Sequence, residues 1–175
     1  MVWFIIGFAI TLIGYLIHTF AHYYEHQGKK TIFQRVHHLM DVVIFIGYAA
    51  WVFMLISDPS RFDLAPAIAL PIGLVIGILG VILFVWSGIM KKNYEKITDI
   101  KDLLTNSIYS KVRHPMYLGI AMMHIGFPLA FTRLWTLISA ILWIGLMIFW
   151  RYWEEKDLEK SLGKDYLEYK NKTWF

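Results

Sequence analysis

The sequence contains no cysteine. That excludes disulfides, cysteine-ligated zinc, iron–sulfur clusters and c-type haem attachment. Charge is also scarce: 17% of the 175 residues are Asp, Glu, Lys or Arg, against 58% hydrophobic and 17% aromatic. Soluble domains average about 45–50% apolar, so this is the composition of a polytopic membrane protein. No G-x-G-x-x-G follows a strand pattern, and neither a P-loop nor G-x-S-x-G occurs, which argues against a Rossmann-type cofactor domain. There is no low-complexity tract and no fixed-period repeat. The start, Met1-Val2-Trp3-Phe4, lacks a basic n-region, and no small-residue cleavage site follows the apolar run, so the first segment is expected to be a retained span. The net charge of +4 fits a positive-inside bias, and no soluble domain is present to hold nucleic acid.

What is present is a set of five apolar segments, 2–24, 39–57, 66–90, 116–131 and 134–150. About 20 apolar residues span a bilayer as a helix, so the first three are long enough and the last two are short. Only Thr132 and Arg133 join the last two, which predicts a tight helical hairpin. The fifth helix is expected to run past the membrane surface through residues 151–162 and to stop at Gly163. The predicted fold is therefore an all-α integral membrane protein with five transmembrane helices. It forms one domain, with a three-helix part over 1–90. A cytosolic loop, the hairpin and a cytosolic helix fill 91–175.

Fifteen Lys and Arg residues fall in the first loop, the third loop and the tail, against Arg61 and Arg133 on the other side. This bias places the N-terminus outside and the C-terminus in the cytoplasm. The first loop supplies Lys29, Lys30 and Arg35; the third supplies Lys91, Lys92, Lys96, Lys101, Lys111 and Arg113. The two longest polar segments then share the cytoplasmic face. A hairpin brings the start of one helix beside the end of the other, so 113–117 and 151–155 are expected to meet.

The stretch 109–119 reads Y-S-K-V-R-H-P-M-Y-L-G. Pro115 suits the first turn of a helix, and the residue before a proline is pushed towards extended geometry. Arg113 and His114 are thus expected at a helix mouth whose N–H groups suit a carboxylate or phosphate. Gly119, one turn in, leaves room for close approach to the backbone. The fifth helix ends in R-Y-W-E-E, where three- and four-residue spacings pair Arg151 with Glu154 and Glu155. His18, His22 and His26 form a stripe on the first helix, followed by His37 and His38. Histidines four apart can ligate a metal, and His18 with His124 is the one intramembrane pair available to a haem or metal. Gly73, Gly77 and Gly80 form a small-residue stripe suited to close helix packing.

Arg113, His114, Pro115, Tyr117 and Gly119, followed by Glu154, Glu155, Leu158, Gly163, Tyr166 and Tyr169, carry a resemblance. The pattern resembles the isoprenylcysteine carboxyl methyltransferase family, a relative of the phospholipid N-methyltransferases. It covers residues 109–169. The resemblance implies an S-adenosylmethionine-dependent membrane enzyme with no metal, its methyl donor held by Arg113, His114, Pro115, Tyr117, Gly119 and Glu155 on the cytoplasmic face. The acceptor would be a lipophilic small molecule, a membrane lipid or a lipidated peptide. Glu154 would act as general base for an amine or thiol, or Arg151 would orient a carboxylate. Neither nucleic acid nor a particular oligomer beyond monomer or homodimer is implied. The competing expectations are a histidine-rich metal- or haem-binding electron-transfer protein and a non-catalytic membrane scaffold.

Overall fold

The computed structural model describes residues 1–28, 37–97 and 104–175, less the side chains of residues 22, 25, 37, 38 and 92–97. Lys29, Lys30, Arg35 and Lys101, and the side chains of Lys92, Lys96, His22, His37 and His38, lie outside the described residues. Among the described residues six helices follow in order: α1 (Val2–His26), α2 (His37–Ser57), α3 (Pro66–Ile97), α4 (Pro115–Ala130), α5 (Leu134–Leu162) and α6 (Lys164–Lys172). A 3-10 turn, Ser107–Ser110, precedes α4. Among the described residues there is no strand, only isolated bridges.

Four of these helices, α1, α2, α3 and α5, are long and apolar enough to cross a membrane. The fourth in order, α4, is a shorter apolar helix of 16 residues. Pro115 occupies its first turn, as its fixed φ and missing N–H favour. At the far end of α5, Gly163 adopts φ 56°, a left-handed value that ends the helix and lets α6 begin in a new direction. The predicted stop at Gly163 matches; the sequence reading did not anticipate α6.

Packing runs in pairs. α1 lies on α2, α3 lies on α4, and α5 closes the bundle against α4 and α1. The α3–α4 contact is the closest, because glycines meet glycines. A Cβ added at Gly80 would stand 2.7 Å from the Gly119 carbonyl oxygen, and one at Gly126 would strike the Gly77 backbone. Small residues let membrane helices touch backbone to backbone, where dispersion contacts replace a hydrophobic driving force. The predicted α4–α5 hairpin forms, yet the closer neighbour of α4 is α3. The shared core is aromatic, with Tyr15, Trp51, Trp143 and Trp150 packed around Met54, Met147 and Ile120.

The end of the bundle away from α6 is fixed by one buried carboxylate. Asp58 is fully buried between α2 and α3 and accepts the Thr136 N–H at 2.8 Å, the Thr136 hydroxyl at 2.9 Å and the Ser60 N–H at 3.0 Å. It thereby caps the first turn of α5 from another part of the chain, where the helix dipole favours negative charge. Arg133 donates to the Asp58 carbonyl, and Arg61 to the Phe131 carbonyl at 2.6 Å, which ties the α2–α3 loop to the α4–α5 turn. Asp58→Ala is expected to lower stability by about 2 kcal/mol, read as a lower midpoint of thermal unfolding in detergent.

Candidate active site

Where α4 begins, α5 ends and α6 turns back, the helices enclose a cavity of about 1170 Å³. Its polar end is built by Arg113, His114, Glu154, Tyr109, Tyr166 and Tyr169. Gly14 and Tyr15 of α1, Gly47 and Tyr48 of α2, Phe84 of α3 and Ile120 of α4 line the deeper part, among the apolar helix interiors. Polar groups therefore sit above a pocket set between apolar helices.

Arg113 is nearly buried. Its Nε donates to Glu155 Oε1 at 3.1 Å, while Nη1 donates to the Thr173 carbonyl at 2.6 Å and the Lys170 carbonyl at 3.1 Å. The backbone N–H groups of Arg113 and His114 both donate to the Phe175 oxygen at 3.0 Å, and the Trp174 N–H donates to the Lys111 carbonyl at 2.8 Å. Part of the anion-binding mouth expected from the sequence thus holds the chain's own residues 173–175. The His114 ring stacks on Tyr117, with centroids 5.6 Å apart and planes within 9°. Tyr117 donates its hydroxyl to Glu154 Oε1 at 2.6 Å, and His114 Nδ1 stands 3.5 Å from Glu154 Oε2. Together His114 and Tyr117 hold the Glu154 carboxylate at the cavity wall.

Glu155 does different work. It is 6% exposed and gathers Arg113 and Arg151, each at 3.1 Å, Lys170 at 2.9 Å and His114 Nε2 at 3.4 Å. The Arg151 guanidinium also covers the Phe175 ring at 4.7 Å. Hydrogen bonds to Glu159 and then Glu155 raise the Lys170 pKa, so its ammonium stays charged and clamps α6 onto α5. Burial pushes the Tyr169 hydroxyl up to about 12, and it donates to the Tyr109 carbonyl at 2.6 Å. This cluster fastens α6 and the tail over the site.

Of the residues expected from the sequence, Arg113, His114, Pro115, Tyr117 and Glu154 line the cavity. Arg151, Glu155 and Gly119 lie outside its lining. At Gly119 the space expected for a ligand is filled by α3, with the Gly80 carbonyl oxygen 2.7 Å and the Phe84 nitrogen 2.8 Å from where a Cβ would be. The expected meeting of 113–117 with 151–155 is present. Missed were Asp41 and Tyr48, which also line the cavity, and the role of α6. Asp41 had a signal, as the one charged residue in the second apolar segment.

The histidine stripe serves packing in part. His124 is 1% exposed; its Nδ1 stands 2.9 Å from the Ile120 carbonyl, so Nδ1 carries the proton, and Nε2 accepts the Tyr15 hydroxyl at 3.2 Å. Both nitrogens are engaged, which leaves neither for a metal shared with His18. The His18 ring meets the Trp150 ring edge-on at 4.4 Å, and His26 Nδ1 pairs with Asp157 at 2.6 Å. These contacts join α1 to α5.

Comparison with known proteins bears on the same region. No curated protein and no solved structure matches the chain. A family model described as phospholipid methyltransferase matches residues 68–165, more than half of the sequence. The match begins in α3, takes in the whole of α4 and α5, and so contains the Arg113–His114–Pro115 mouth together with Glu154 and Glu155. This chain belongs to the phospholipid methyltransferase family.

Proposed function

We propose that the chain is an S-adenosylmethionine-dependent methyltransferase acting on a lipophilic acceptor that carries an amine or thiol. The observation that carries this reading is the cavity shared by the Arg113–His114–Pro115 mouth and Glu154, in a member of a membrane methyltransferase family. Family membership supports methyl transfer; the donor, the acceptor and the residue roles are our reading.

The residues suit such a donor. Sites for drug-sized ligands measure about 300–1,000 Å³, so 1170 Å³ has room for a donor and part of an acceptor. The polar end supplies the His114 imidazole and the aromatic face of Tyr117, complementary to a carboxylate and an adenine. His114, Tyr117 and Tyr109 would hold the donor, with Arg113 setting the charge of the mouth. When bound, S-adenosylmethionine supplies an electrophilic methyl carbon on a sulfonium. The rest is positioning, which is how an enclosed site accelerates an in-line displacement.

Glu154 decides between acceptors. It lines the cavity, whereas Arg151 is engaged by Glu155 and Phe175 outside it. A carboxylate acceptor would call on Arg151; an amine or thiol must lose a proton and calls on a base. With Oε1 held by Tyr117, the Glu154 carboxylate is oriented to take that proton. The deeper apolar part of the cavity would receive the acceptor's hydrocarbon portion from the bilayer. In this reading α4 is a fifth span, and the Lys and Arg distribution sets the N-terminus outside and the site on the cytoplasmic face. The protein works as a monomer or homodimer.

The test is calorimetric titration of the detergent-purified protein with S-adenosylhomocysteine, repeated in lipid nanodiscs. Saturable one-to-one binding is expected. An absence of heat in both media would remove the methyl-donor assignment.

A further inference from the structure

The clamp on α6 leaves one group unaccounted for. Tyr166 is fully buried, lines the cavity and makes no hydrogen bond through its hydroxyl among the described residues. Its neighbour Tyr169, on the same short helix, has its hydroxyl paired with the Tyr109 carbonyl. Burying a hydroxyl without a partner costs the protein its full desolvation, and nearly all such groups in native proteins are paired. Nothing in the packing of α6 requires that hydroxyl. Phenylalanine would fill the same volume, and α6 is already held by Lys170 on Glu155 and Glu159 and by Tyr169 on Tyr109.

We propose that Tyr166 is a ligand-binding residue, its hydroxyl donating a hydrogen bond to an acceptor atom of the bound nucleoside–amino acid. This rests on the methyl-donor reading above and gives a role to Tyr166, which the resemblance included without assigning it one. Burial, with Glu155 alongside, holds the phenol well above its ordinary pKa. The hydroxyl therefore keeps its proton and acts as a donor. The hydroxyl is then satisfied when the cavity is filled.

The experiment compares wild type, Tyr166→Phe and Tyr169→Phe. Unliganded melting temperature and calorimetric affinity for S-adenosylhomocysteine are measured for each. Tyr166→Phe is expected to melt at or above wild type, since an unpaired buried hydroxyl is removed, and to bind roughly 3- to 10-fold more weakly. Tyr169→Phe loses a made hydrogen bond and is expected to melt lower. Unchanged affinity in Tyr166→Phe overturns the assignment while leaving the methyl-donor reading intact. A lower unliganded melting temperature in Tyr166→Phe also overturns it, because the hydroxyl then has a partner in the protein itself. Wild-type protein that fails to bind removes both.

Discussion

Glu154→Gln is expected to reduce methyl transfer to an amine acceptor by about 100- to 10,000-fold, the usual contribution of a positioned general base. Its affinity for S-adenosylhomocysteine should stay close to wild type. Glutamine keeps the size of the side chain and still accepts the Tyr117 hydroxyl through its carbonyl oxygen, so the 2.6 Å contact survives. What it cannot do is take a proton. Raising the pH should restore turnover in the variant, because a pre-ionised acceptor no longer needs the base. Kinetics of wild type and variant across a pH series decide the matter. Equal turnover at neutral pH would leave Glu154 as a wall residue and return the acceptor question to the carboxylate.

The second large effect concerns its neighbour. Glu155→Ala is expected to destabilise the protein by about 3–5 kcal/mol, the range for breaking a buried ion pair from one side. The loss is large because Arg113 and Arg151 are left facing one another with nothing between them, and Lys170 keeps only Glu159. α6 and residues 173–175 should then release from the mouth of α4, and ligand binding should fall with them. Thermal unfolding and titration on the same samples separate two roles. A variant that melts like wild type yet fails to bind would make Glu155 a direct ligand contact, as expected from the sequence. A variant that melts early makes it the clamp its geometry describes.

That contrast shows where sequence and structure part. The helices were legible because long apolar runs and their polar gaps report burial in lipid directly. Pro115 and Gly163 marked helix ends through backbone chemistry that needs no partner. The Gly73, Gly77 and Gly80 stripe was legible as packing, though the partner, Gly119 and Gly126 on α4, was not. The pair Glu154 and Glu155 was visible, but spacing alone cannot say which carboxylate faces a cavity and which faces three cations. Asp58 escaped because its partners on α5 lie 78 residues away. The docking of residues 173–175 on Arg113 escaped for the same reason.

The glycine crossing of α3 and α4 has a consequence for depth in the bilayer. At 16 residues, α4 measures about 24 Å, short of the roughly 30 Å hydrocarbon thickness. A helix that short, left to itself, would float, tilt or thin the membrane around it. Fused backbone to backbone with the 32-residue α3, it has no such freedom, since glycines offer no side chain that rotates to absorb a slip. The longer helix acts as the gauge. It sets where Pro115 and Tyr117 stand along the bundle and, in the proposed reading, how far a lipophilic acceptor must rise to be reached.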